Sequence, residues 1–205
     1  MIDYINCIEQ IEAEPSGASP LQVLNERVVY REEGGADYTV EKIEAKVKAS
    51  GQHVQFHVAS VKQGKTGAIC VAYHHIGDAA YILLGRHWRP SLTMWEWEFP
   101  RGMGEQGEAV EETAVREFRE ETGIVVAVSE AHIRQIVHAD TGMLRDRIAV
   151  VTLDCENNPS AQTDWELSVL HWVSVPVFEQ MIQQGMIHDG LTLAAWSVVT
   201  ALAHK

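Results

Sequence analysis

The stretch from Gly102 to Ile124 limits the fold more than any other part of this 205-residue chain. It opens with a glycine-bearing loop, Gly102 to Gly107. Val110, Ala114, Val115 and Phe118 then recur at helical spacing, which predicts a helix over about Glu108 to Thr122 with one apolar stripe. Gly123 supplies the stop. On such a helix Glu117, Glu120 and Glu121 stand at i, i+3 and i+4, so three carboxylates crowd nearly one face. Like charges stacked this way cost a few tenths of a kcal/mol per pair, roughly. Taken alone, an acidic helix reads equally well as a solvated face. A divalent cation removes the repulsion, and hard, oxygen-loving Mg²⁺ or Mn²⁺ is the natural partner, completed by water and phosphate oxygens. Glu108 and Arg116, two helical turns apart, are candidates for an ion pair bracing the loop against the helix.

The spacing decides between the two readings. Gly102, five residues, Glu108, seven residues, Arg116-Glu117-Phe118, one residue, Glu120-Glu121, one residue, Gly123-Ile124 resembles the Nudix box at every specified position. A chance match in a chain this long is on the order of one in ten million at average residue frequencies. Phe118 is aromatic where the family more often has an aliphatic residue. Flanking text, Arg86-His87-Trp88-Arg89-Pro90, Trp97-Glu98-Phe99-Pro100-Arg101-Gly102 and Ile187 to Ala195, looks like the ADP-ribose pyrophosphatase branch.

The resemblance implies an α+β fold, a mixed β-sheet held between helices as an α/β/α sandwich, with a small N-terminal β module that helps build a homodimer. It implies that Glu117 and Glu121 bind metal directly, that Glu120 supports them, and that the Gly102 carbonyl is a further ligand. Arg86 and Glu98 match positions that contact substrate or metal-bound water, and Arg89 and Arg101 belong to the same substrate-facing text. Glu108, Arg116 and Gly123 fall at the box's structural positions. Divalent ions would withdraw charge from the bridging phosphates and orient a water in line with one phosphorus, while a carboxylate accepts the proton. That carboxylate is in the box or on the acidic loop before the last long strand, where Asp164 and Glu166 stand.

The expected reaction is hydrolysis of ADP-ribose or a related nucleotide sugar to a nucleoside monophosphate and a sugar phosphate. Two other readings stay open: a Nudix hydrolase of nucleoside triphosphates or dinucleoside polyphosphates, and an ADP-ribose-binding sensor without catalysis. ADP-ribose hydrolysing relatives usually carry a proline about 15 or 16 residues past the box glycine. Here that place holds His138-Ala139, so pyrophosphate chemistry is better specified than the substrate.

The rest of the chain sets the frame. Strand-like text between Arg27 and Val61 predicts a β module over 21–61, after a loop-rich tail over 1–20 and before a hydrolase domain over 62–205. Further strands are expected at Ala68–Tyr73 and Ala79–Gly85, joined at Gly77-Asp78, and at Ile124–Val128, Arg147–Leu153 and Val169–Val175. Closing helices are expected at Pro176–Gln184 and Leu191–Ala203. Trp95 and Trp97 alternate with Glu96 and Glu98, which assigns the tryptophans to the core or an interface rather than to a nucleobase. A formal charge of -13 weighs against a nucleic-acid partner. No H-E-x-x-H occurs, so zinc hydrolysis lacks support. Three dispersed cysteines, an acidic N-terminus and the lack of a long apolar span point to a soluble protein of the reducing cytoplasm, with no membrane partner.

Overall fold

The computed structural model describes residues 17–32, 34, 37–156, 158–160 and 166–203. Three antiparallel strands, β1 (Leu21–Arg31), β2 (Thr39–Val47) and β3 (His53–Ser60), form a small separate sheet in that order. Its tie to the rest of the chain runs through Arg145, whose guanidinium reaches Glu26 at 2.9 Å and Glu41 at 2.7 Å. Backbone bonds join the two as well, Ala59 N to the Met143 carbonyl and Arg145 N to the Ala59 carbonyl, each at 2.8 Å. Apolar side chains on β1, among them Val23, Leu24, Val28 and Tyr30, stay exposed.

The larger sheet has seven strands. The long apolar runs become β4 (Thr66–Ile76) and β5 (Ala79–Arg89), a hairpin turning at Gly77-Asp78. Both reach past the expected ends. β9 (Arg147–Asp154) lies parallel to β4 and antiparallel to β8 (His132–Val137), and β10 (Leu167–Ser174) lies antiparallel to β5, so the sheet is mixed. The continuous burial of Ile69, Cys70, Val71 and Val150, Val151 is that of central strands covered on both faces. Helix α1 (Val110–Thr122) covers one face through Ala114 and Phe118. Helices α2 (Val175–Gln183) and α3 (Gly190–Ala203) cover the other through Phe178, Leu191, Ala195 and Val199. The result is an α+β fold, helices on both faces of a mixed sheet with a separate antiparallel sheet beside it. Cys70 and Cys155 are buried free thiols. Among the described residues no helix is long and apolar enough to cross a membrane.

One expected strand is not there. Ile124–Val128 is irregular, and the strand begins only at His132. The helix stop takes these residues instead. Gly123 turns left-handed at φ 72°, the Thr122 hydroxyl accepts the Ile124 N–H at 3.1 Å, and Ile124 is buried beneath α1. Val125 points to solvent.

Two short strands matter most. β6 (Met94–Glu98) pairs with the far end of β5, and β7 (Arg101–Gly102) pairs with the near end of β4. Between them Phe99 and Pro100 leave the ladder, and Pro100 has no N–H to offer it. This break opens the sheet beside α1.

Candidate active site

Helix α1 delivers the three carboxylates, and a half-buried brace fixes the loop before it. Arg116 grips Glu108 with two bonds, Nε to Oε1 at 2.6 Å and Nη2 to Oε2 at 3.0 Å. The same guanidinium donates to the Met103 carbonyl at 3.0 Å. Glu108 also accepts from Glu105 N–H and the Thr113 hydroxyl. The hydrogen bond from Arg116 is the main reason that the Glu108 carboxyl is held down to about 2. Its charge is therefore permanent at any working pH, as is that of Arg116.

The remaining donors of Arg116 touch the metal-type face, Glu117 at 2.8 Å and Glu120 at 3.2 Å. Glu117 lies directly on Gly102. A Cβ there would stand 2.0–2.5 Å from the Glu117 carboxylate atoms, so only glycine admits this approach. Glu120 is half-exposed at the rim. Glu121 is turned inward, and its Oε2 accepts the Arg101 N–H at 3.1 Å. Burial pushes the Glu121 carboxyl up to about 8; the Arg101 N–H opposes this and the Glu117 charge adds to it.

Facing the helix is a second charged set. Glu98 is 1% exposed, yet it is an acid at the end of a strand. Arg89 forks onto both its oxygens at 2.7 and 2.6 Å, and Arg101 reaches Oε2 at 3.1 and 2.9 Å. Burial raises the Glu98 pKa, but the hydrogen bonds and charges of Arg89 and Arg101 outweigh it and hold the carboxyl below its usual range. Arg89 also donates to Glu166 Oε1 at 3.0 Å. A cavity of about 220 Å³ joins the two sets, lined by Arg89, Arg101, Gly102, Met103, Glu121 and Glu166 with Ala68 and Ile148.

Not every expected residue comes here. Strand alternation sends Arg86 to the opposite face of β5, where its guanidinium stands 5.7 Å from the centre of the Trp97 ring. Asp164 lies outside the described residues. The alternation along β6 runs as expected but with burial reversed. Glu96 and Glu98 are sealed in, whereas Trp95 and Trp97 are half-buried, Trp95 edge-on to Trp88. A larger groove of about 600 Å³, lined by Trp97, His171, Met181 and neighbours, has no carboxylate, lysine or arginine among its lining residues.

Does the donor set suit a divalent ion? Glu117, Glu120, Glu121 and the Gly102 backbone are hard oxygen donors from one helix and one adjoining loop. Glu121, a buried carboxylate whose ionisation is disfavoured, is the kind of group a neighbouring cation stabilises. Among the described residues no three acidic, His or Cys side chains are drawn tightly enough to grip an ion, because Arg116 and the Arg101 N–H hold these carboxylates. The residues fit such an ion in chemistry and location, as hard oxygen donors at one end of the cavity.

Residues 65–191 match the family model of the NUDIX domain. The chain belongs to the Nudix family. A search of curated proteins finds an uncharacterized Nudix hydrolase of Schizosaccharomyces pombe, 27% identical over 95 residues. The match spans 43% of this chain and 45% of that relative, so the chain covers less than half of its length. Among solved structures, the crystal structure of an ADP compounds hydrolase superposes with a TM-score of 0.71 at 17% identity, over 92% of this chain and 96% of the other. That likeness is one of fold. Enzymes of the Nudix family act on small-molecule nucleotides and generally use divalent metals. The box helix and its loop lie within that matched span and form the candidate centre.

Three residues of this centre escaped the reading of the sequence. Asp189 and Thr192 at the start of α3 touch Arg101 and Phe99, and His87 is buried under Gly85 with its pKa lowered to about 4 by burial. Asp189-Gly190 reads as a turn, but an Asp just ahead of an apolar helix is also an N-cap signal.

Proposed function

We propose that the protein hydrolyses the pyrophosphate bond of ADP-ribose or a closely related nucleotide sugar with Mg²⁺, or Mn²⁺, giving a nucleoside monophosphate and a sugar phosphate. One observation carries this reading: the cavity where Glu121 and Gly102 of the box, with the adjoining Arg101, meet Arg89 and Glu166 from two other segments. A carboxylate pole beside a guanidinium pole is the arrangement a metal-bridged diphosphate needs. Likeness across most of the chain to a hydrolase of ADP compounds supports the substrate class.

In this reading Glu117 and Glu121 hold the ion directly, Glu120 supports them from the rim, and the Gly102 carbonyl completes the protein's share. When bound, the metal withdraws charge from the diphosphate and lowers the pKa of the attacking water. Arg89 and Arg101 orient the diphosphate, with Glu98 fixing both guanidinium planes. Glu166, at the cavity wall, is the candidate acceptor of the water's proton; Asp164 is the alternative on the same loop. A contact from Arg86 requires the outer edge of the sheet, so the proposal leans on Arg89 and Arg101. Exposed Val23, Leu24, Val28 and Tyr30 on β1 support a homodimer formed through the small sheet, and buried free thiols suit a reducing cytoplasm.

The test is incubation with Mg²⁺ and a panel of nucleoside diphosphate sugars, nucleoside triphosphates and dinucleoside polyphosphates. AMP and ribose 5-phosphate from ADP-ribose are the expected products. Turnover of triphosphates alone, or tight ADP-ribose binding with no cleavage, refutes the assignment.

A further inference from the structure

The start of helix α3 carries no box residue, yet it touches the strand break beside the active site at three points. Phe99 is fully buried, and its N–H has left the β6 ladder; the Thr192 hydroxyl accepts it at 3.1 Å. That hydroxyl in turn donates to Asp189 Oδ2 at 2.8 Å, and the Thr192 N–H donates to the same oxygen at 2.8 Å. The other oxygen of Asp189 faces Arg101 Nη2 at 3.6 Å. One residue before, His188 Nδ1 meets buried Glu96 at 3.0 Å. The segment is anchored from behind by Ile187 and Leu191, both in the apolar core between the sheet and the closing helices.

What the segment holds is narrow. Between Phe99 and Gly102 the backbone is otherwise held by the pairing of Arg101-Gly102 with β4 and by two further bonds: the Pro100 carbonyl accepts Cys70 N–H at 2.8 Å, and the Arg101 N–H donates to Glu121 at 3.1 Å. A shift at Phe99 is therefore passed within two residues to the N–H that orients Glu121, and within three to the glycine on which Glu117 rests.

We infer that Asp189 and Thr192 are positioning residues that clamp the Phe99–Gly102 turn and so set the geometry of the metal-binding carboxylates. This rests on the proposed metal site. Thr192 satisfies a buried N–H that the ladder abandons, and Asp189 holds Thr192 and Arg101 together. Outer partners of this kind typically change metal affinity by about 10- to 100-fold when removed.

The experiment is Mn²⁺ binding to the full chain, followed by the electron paramagnetic resonance signal of free Mn²⁺, alongside melting temperature and ADP-ribose turnover. Thr192→Val keeps the volume and removes the hydroxyl; it is expected to weaken Mn²⁺ binding about tenfold or more and to lower kcat with little change in KM. Thr192→Ser restores the hydroxyl and is expected to stay within about twofold of wild type. Val199→Ala, farther along the same helix, is the comparison: it lowers the melting temperature through lost packing while leaving Mn²⁺ binding intact. If Thr192→Val does not fold, Asp189→Asn carries the test, since it keeps an oxygen for Thr192 and removes the charge opposite Arg101; a loss of about threefold or more is expected. Wild-type Mn²⁺ binding by Thr192→Val, or by Asp189→Asn in its place, overturns the clamp. Loss of binding in Val199→Ala equal to that in Thr192→Val also overturns it. Glu121→Gln separates the two levels: if it too binds Mn²⁺ normally, the metal site itself is wrong, whereas if it alone loses binding, only the clamp is.

Discussion

Glu121 ties stability to pH in a way that a single substitution exposes. Its carboxyl is raised to about 8, chiefly by burial, against an ordinary value of 4.5. Between those two values the folded, metal-free chain keeps a proton that the unfolded chain has released. Stability therefore falls as pH rises, by at most about 1.4 kcal/mol per pH unit. The full stabilisation is present below about 4.5 and is lost as pH passes through about 8. A sealed group would forfeit about 5 kcal/mol across this window. Glu121 keeps some solvent at the cavity, and relaxation there roughly halves the figure to about 2 kcal/mol. Glu121→Gln carries no charge at any pH and escapes the loss. The assay is urea unfolding of both proteins in EDTA at pH 5, 6, 7 and 8. Near pH 5 the two should be equally stable; by pH 8 the variant should lead by about 2 kcal/mol, and Mg²⁺ should restore the wild type but not the variant. Titrating groups away from Glu121 cancel in the difference. Parallel pH profiles for the two proteins would show that Glu121 is not the disfavoured anion described here.

Glu98→Gln should cost about 3 kcal/mol in urea unfolding, since it leaves Arg89 and Arg101 facing each other without the buried carboxylate that both grip; a loss below about 1 kcal/mol contradicts the network. Glu108→Gln should remove a stability contribution that the wild type holds at neutral pH and loses as pH falls from about 4.5 toward 2, because the folded carboxyl is depressed by Arg116; acid titration by circular dichroism compares the two. Gly104→Ala should destabilise by about 2 kcal/mol or more and suppress turnover, because the new Cβ would meet the Thr66 carbonyl at 2.5 Å, a backbone atom with little room to yield. A normal melting temperature in that variant would mean that the box loop is slack.

The box helix was legible because its signals are local: an apolar stripe, a stop glycine, and carboxylates at fixed offsets. The Gly77-Asp78 hairpin was legible for the same reason. Ile124–Val128 misled because β-branched residues were read as a ladder when Ile124 serves the helix stop instead. The tryptophans of β6 misled in a subtler way. Alternation separates Trp from Glu but does not say which face is buried, and two arginines from elsewhere reversed the ordinary preference by satisfying Glu98. The Arg89–Glu166 and Thr192–Phe99 contacts join residues 77 and 93 positions apart. No spacing rule reaches that far: the family resemblance names Glu166 as a candidate, but its bond to Arg89 and the hold of Thr192 on Phe99 emerge only from the folded chain.

In an unbroken β-strand, residues three apart project to opposite sides of the sheet. Glu98 and Arg101 nevertheless meet at 2.9 Å. The interruption at Phe99-Pro100 lets the Arg101 guanidinium turn back, so that an odd interval behaves like an even one. An arginine that ladder geometry would send across the sheet is returned to the acid two residues ahead of the proline, while the glycine that opens the box goes on to pair with Ala68.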